Sequence, residues 1–353
     1  MEMVTTRFNL IVTLLCAFSF PARHEAAAQN GVSGTCIYRR SSGRLVTVPS
    51  FADVPGKYRK GAMCATTPYI AKPKEISLDP SSAKASFLSS FGDVTLRWSR
   101  EVEDLLGGKS PRSAMAEAIR HAERAIASSS FPDVLRKVQA KWQVVFMGAD
   151  LPQGQIPHYL LSSCHPGWMT PPANIYIASQ RIAKGCSDDS PLKGKEVSNA
   201  TLIRVLLHEM GHALEYQLLK ERFAGDTGRA EGFAVWFEHF ASKTVPGLSE
   251  AEMSAQRCAL LCARPQGSLG IANFRGTPGD YAAASIYFEA IASTFGISAI
   301  FRVYDRMILE ELDFNSAAMK EFTWTYSARQ RAFAREVKRC SCPEPGDGQG
   351  NAG

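Results

Sequence analysis

The sequence predicts an α+β protein: a small β-rich N-terminal module, then a larger domain in which a small mixed sheet precedes a set of long helices. Three observations lead there. Residues 36–39 and 45–48 are short strand-like runs on either side of the turn Ser41-Ser42-Gly43-Arg44, a hairpin pattern. Three further strand-like runs, at 142–147, 158–162 and 174–179, are separated by loops rich in proline and glycine. The period then changes, because residues 202–219 are a long apolar-rich run with no proline and one glycine. With 353 residues, 45% hydrophobic and 21% charged, the chain can bury a full core and still carry a small appendage.

The N-terminus reads as an export signal. Arg7 precedes an apolar run over residues 8–20, and Ala26-Ala27-Ala28 offers a cleavage site after Ala28. That run is too short to span a bilayer, and no later stretch is long and apolar enough, so stable membrane insertion is not expected. Removal of residues 1–28 leaves eight cysteines: Cys36, Cys64, Cys164, Cys186, Cys258, Cys262, Cys340 and Cys342. An even number in an exported chain, periplasmic or secreted, points to disulfides. Proximity suggests Cys36 with Cys64, Cys164 with Cys186, and Cys258 and Cys262 with Cys340 and Cys342. A Cys/His metal cluster around Cys164-His165 is the competing reading, and an oxidising compartment disfavours it.

Residues 29–75 form the first module, closed by Cys36 and Cys64. It resembles the small β units that follow export signals in many bacterial envelope proteins, which implies no activity and leaves its partner unknown. The formal charge of +6 is a mild bias. Its basic residues are scattered, and those of residues 329–339 alternate with apolar ones at helical spacing, as on a solvated helix face. No nucleic-acid partner is expected.

The larger domain spans residues 76–340, and 341–353 read as a disordered tail. Helical patterns are expected over 94–106 and 113–127, the second with Met115, Ala118, Ile119, Ala122 and Ile126 on one stripe. Gly107-Gly108-Lys109-Ser110 between them lacks the first glycine and the preceding strand of a phosphate loop, so it is a linker.

The chemistry concentrates at His208-Glu209-Met210-Gly211-His212. Two histidines four apart on a helix share one face, about 6 Å apart along the axis, so both imidazoles can reach one ion. Zinc suits two neutral imidazoles and a carboxylate, with the fourth position kept for water. Glu209 is then the candidate general base. For the third ligand, Glu215 sits a turn too far along the helix. Glu231 is the better candidate, because Gly225 and Gly228 lie in the stretch before it and let the chain turn back.

His208-Glu209-x-x-His212, eighteen residues, then Glu231-Gly232-Phe233-Ala234 resembles the gluzincins of the peptidase MA clan, and among them the aminopeptidase N-like and other peptidase-MA families. The resemblance runs over residues 142–307. It implies a zincin-like catalytic domain with a small mixed sheet, an edge strand above the metal, the histidine helix, a glutamate helix and a helical C-terminal part. It also implies zinc held by His208, His212 and Glu231, a peptide or protein substrate, and a tyrosine that begins a later helix and hydrogen-bonds the oxyanion. Tyr281 matches that tyrosine, and Gly296 the glycine that closes its helix fifteen residues on. The edge strand would be Asn174–Ala178, with an internal strand as the alternative.

Two departures qualify the resemblance. The Gly-x-Met-Glu-Asn segment of aminopeptidase N-like enzymes has no counterpart, which favours an endopeptidase. The aspartate that thermolysin-like enzymes carry four residues after the glutamate ligand is Val235 here, so Glu238 or a main-chain carbonyl must support a histidine. The reading from a different class is a periplasmic binding or assembly protein that keeps the fold with little or no turnover; a base at Glu209 argues for the enzyme.

Overall fold

The computed structural model describes residues 83–128, 137–148, 165–184, 198–223, 226–262 and 277–342, the strands Cys36–Arg39, Leu45–Val48 and Met63–Cys64, and positions 55, 57 and 274. The expected signal peptide, the run 158–162, Cys164, Cys186 and the tail beyond 342 lie outside the described residues.

The N-terminal strands β1 (Cys36–Arg39), β2 (Leu45–Val48) and β3 (Met63–Cys64) form an antiparallel sheet in the order β2-β1-β3. The hairpin is where the alternation put it, and the β1–β3 register sets Cys36 opposite Cys64.

Among the described residues the second sheet has five strands: β4 (Ala83–Ser89), β5 (Gly92–Trp98), β6 (Trp142–Met147), β7 (Gly167–Thr170) and β8 (Asn174–Ala178), in the order β4-β5-β6-β8-β7. It is mixed, since β5, β6 and β8 run parallel while β4 and β7 pair antiparallel at the two sides. Two expectations change here. Residues 94–106 are not one helix: β5 buries Val94, Leu96 and Trp98 on one face with the residues between them turned outward, and only α1 (Glu101–Leu105) is helical. Nor is Asn174–Ala178 an edge. β8 lies between β6 and β7 and is buried along its whole length, so the edge on that side, among the described residues, is β7.

Helices make up most of the rest: α2 (Pro111–Ser128), α3 (Ser179–Lys184), α4 (Asn199–Leu219), α5 (Thr227–Ser242), α6 (Glu250–Cys262), α7 (Pro278–Phe295), α8 (Ser298–Leu309), α9 (Phe314–Glu321) and α10 (Tyr326–Arg339). Their ends follow local chemistry. The Ser198 side chain accepts from Thr201 N at 3.0 Å, and Asp226 from Arg229 N at 2.9 Å, so α4 and α5 each start on a side-chain cap. Thr277 and Asp280 form a capping box with Pro278 in the first turn of α7, and Gly296 ends that helix at φ 83°.

Helix α4 packs against β7, β8 and α2 on one side and α5 on another, while α5 packs on α7. Small residues set these approaches: a Cβ on Gly211 would stand 2.8 Å from Ala234 Cα, and one on Gly232 would stand 2.9 Å from Ala284 Cβ. Around them lies an aromatic cluster in which the Phe233 ring centroid is 5.7 Å from Phe288 and 5.5 Å from Tyr304. Fully burying one such ring stabilises the fold by roughly 2–3 kcal/mol. Disulfides Cys258–Cys340 and Cys262–Cys342 fasten α6 to the end of α10, which settles that pairing. Among the described residues no single helix is long and apolar enough to cross a membrane.

Candidate metal centre

Helical spacing places the His208 and His212 rings side by side, with centroids 4.9 Å apart and planes at 84°. The turn after α4 brings α5 back along it, and Glu231 reaches between the two rings. Its Oε2 lies 3.5 Å from His208 Nε2 and 3.3 Å from His212 Nε2. One ligand atom from each of the three residues lies within 4.8 Å of the others, close enough to hold a single metal ion. Glu215 is elsewhere: it is fully buried and accepts from Arg229 Nε at 2.9 Å and from the Tyr304 hydroxyl at 2.6 Å. That triad ties α4, α5 and α8 together, two residues ahead of Glu231.

Burial opposes the charged form of His208, but hydrogen bonds to the Glu231 and Glu238 carboxylates overcome it and raise its pKa well above the ordinary value. Burial also acts to raise Glu231, and His212 and His208 instead hold its carboxyl far below the usual range. Both shifts come from the close approach of the imidazoles to the carboxylate, the same approach that suits a shared cation.

Glu238 approaches the other side of His208. Its Oε2 is 3.4 Å from His208 Nδ1 and its Oε1 accepts from Arg204 Nε at 2.7 Å. Burial acts to raise this carboxyl as well, but Arg204 and His208 bring it down to about 2. Its charge therefore turns Nε2 of His208 toward Glu231, the support that Val235 is too short and apolar to give.

Glu209 is 4% exposed, and its Oε2 has no hydrogen-bond partner in the protein. Burial raises its pKa, against the pull of His208 and His212. A buried acceptor without a partner is costly unless a water or ligand satisfies it, so the donor set and this orphaned oxygen both fit a zinc ion with a water beside the base. Tyr281, in the first turn of α7, stacks edge-on against Phe274 at 5.1 Å, and burial together with the nearby Glu231 and Glu209 charges keeps its hydroxyl protonated.

Of the five residues picked from the sequence, His208, His212 and Glu231 come together in one cluster, Glu209 lies on the same helix as the two histidines, and Tyr281 stands in the field of Glu231 and Glu209. Three contributors did not stand out there. Arg204 has no spacing signature. Gly167 on β7 lies against the Glu209 side chain, and a Cβ there would be 3.0 Å from Oε1. His165, which the sequence tied only to a Cys/His cluster, lies in the field of Glu231, His208 and His212. Gln217 Nε2 donates to the Pro172 carbonyl at 2.6 Å and fastens α4 to the β7–β8 turn, at the far end of β7 from these two.

No family model matches the chain, and no curated protein sequence does. Among solved structures, a two-domain M1 zinc metallopeptidase, crystallised as a point mutant with L-tryptophan, aligns over 72% of this chain and 51% of its own at 17% identity and a TM-score of 0.42. This chain thus spans about half of that structure's length. The likeness is loose, and the chemistry of the site stands on its own geometry.

Proposed function

We propose that this chain is an exported zinc-dependent peptidase of the gluzincin type. The observation that carries the reading is the convergence of His208, His212 and Glu231 beside a buried carboxylate, Glu209, one of whose oxygens has no protein partner. A zinc ion in that cluster supplies a Lewis acid for the scissile carbonyl and acidifies a water molecule. Glu209 takes the proton of the attacking water and delivers it to the leaving amine, a task suited to a carboxyl whose pKa burial has raised. Tyr281, kept protonated, donates to the oxyanion as charge develops on it.

An endopeptidase fits better than an aminopeptidase. Residues 165–178, which hold β7, β8 and the turn between them, contain no carboxylate to receive a free α-amino group. Export is supported by the apolar leader over residues 8–20 and by the two disulfides. The test is Glu209→Gln, assayed on an unstructured protein: zinc content is retained and cleavage lost. Zinc binding by the wild-type chain without any cleavage would instead favour a binding or assembly protein.

A further inference from the structure

The three ligands of the metal cluster come from two helices that run past each other in opposite directions, since Arg204 meets Glu238 and Glu215 meets Arg229. Beside the ligands the two backbones nearly touch: a Cβ on Gly211 in α4 would stand 2.8 Å from Ala234 Cα in α5. A glycine laid against an alanine sets the distance between the helices. It does little to fix how far one is displaced along the other, which needs directional bonds. Two ion pairs supply these and bracket the ligands. Before His208, Arg204 Nε donates to Glu238 Oε1 at 2.7 Å; after His212, Arg229 Nε donates to Glu215 Oε1 at 2.9 Å. Glu215 is three residues past His212 and Arg229 two ahead of Glu231, so the second pair joins the helices within one turn of a ligand on each. Arg229 is held from other sides too: its Nη2 donates to the Phe223 carbonyl at 2.6 Å, in the turn between the helices, and Asp226 caps its main-chain N–H. The Tyr304 hydroxyl of α8 donates to the same Glu215 oxygen at 2.6 Å. Stability alone does not call for charge here, because an apolar pair of similar volume avoids the desolvation that burying two charges costs. What a charged pair gives and an apolar pair lacks is a fixed direction and distance.

We infer that Glu215 and Arg229 are positioning residues for the metal centre: their bond sets the register of α5 along α4, and with it the place of the Glu231 carboxylate against the two imidazoles. The inference rests on the metal-binding part of the peptidase reading and adds to it the device that assembles the ligand set. Neither residue touches the ion. Their effect reaches it through Glu231, and Tyr304 extends the same hold to α8.

The variant that separates this role from stability is Glu215→Leu with Arg229→Met, which exchanges the charged pair for an apolar one. Zinc affinity is read on the full chain by competition with a chelator. Cobalt(II) loaded in place of zinc reports the arrangement of the ligands through its visible absorption. The double variant should stay folded, bind zinc about tenfold or more weakly than wild type, and give a changed cobalt spectrum. Wild-type zinc affinity in the folded double variant overturns the inference and leaves the peptidase reading standing. Weaker binding with an unchanged cobalt spectrum also overturns it, because the loss then does not lie in the placement of Glu231. If the double variant does not fold, Tyr304→Phe replaces it, since Glu215 then loses one of the two donors that fix its carboxylate. Both readouts should move the same way by less, and wild-type values in both overturn the inference. A wild-type chain that takes up neither zinc nor cobalt overturns the inference and the peptidase reading together.

Discussion

The main chain of Gly167 lies directly against the Glu209 side chain: a Cβ on Gly167 would stand 3.0 Å from Glu209 Cγ and 3.0 Å from its Oε1. Edge strand β7 and helix α4 thus meet at the proposed base, and the glycine is there for the close approach. In Gly167→Ala the carboxylate must give way by a fraction of an ångström. Misplacement of a reacting group is expensive in rate, so kcat/KM should fall about tenfold or more. Zinc content and melting temperature should stay near wild type. Unchanged cleavage would show that the base has slack.

Glu238 is bound on both sides, to Arg204 through one oxygen and to His208 Nδ1 through the other. Supporting partners of metal-bound histidines typically govern affinity by 10- to about 100-fold. Glu238→Ala should therefore weaken zinc binding by that order in competition with a chelator, and Glu238→Gln by less, since its amide oxygen can still accept. An alanine variant with wild-type affinity would remove Glu238 from the support of the site.

The helices that carry the site were legible because their signals are local: the apolar run over 202–219, the segment that begins at Glu231, and the spacing from Tyr281 to Gly296. The β4–β5 hairpin was not. Val94, Trp98, Val102 and Leu106 are all buried and fall four apart, so a strand and the short helix after it together mimic one helical stripe. Alternation at Val94, Leu96 and Trp98 was the competing signal, and it governs the strand. Strand order, which puts β8 inside and β7 at the side, is a tertiary property with no mark in a linear pattern. The same holds for His165 and Gly167, whose relevance comes only from what β7 is laid against.

Glu215, Arg229 and Tyr304 form a buried polar cluster, with Glu215 and Tyr304 at 0% and Arg229 at 2% exposure. Removing one member of a buried ion pair leaves an uncompensated charge, so Arg229→Met should cost roughly 3–5 kcal/mol in denaturant unfolding. Tyr304→Phe removes one hydrogen bond and should cost only about 1–2 kcal/mol. Replacing both charges, Glu215→Leu with Arg229→Met, should be less damaging than Arg229→Met alone. If the double variant is worse, the cluster stabilises through its charges more than their desolvation costs.

His239 gives a pH dependence with a definite sign. Burial, with Arg257 from α6, Arg204 from α4 and Lys243 just past α5 pressing the same way against Glu238, lowers its pKa to about 3. The folded imidazole therefore stays neutral while the unfolded one titrates at its ordinary value of 6.5. Between these values the unfolded chain binds more protons, so the contribution is intact above 6.5 and is lost as pH falls, by at most about 1.4 kcal/mol per pH unit. Glu238 adds to the loss only below its unfolded value of 4.5, as pH falls toward about 2. Urea unfolding with chelator present, at about pH 7 and about pH 5, should show wild type losing roughly 1–2 kcal/mol more than His239→Gln. Chelator matters because His208, whose pKa is raised, shifts stability in the opposite direction, and bound metal would obscure both. Equal losses in the two proteins would mean that His239 is protonated in the folded state and that Glu238 outweighs the three cations around it.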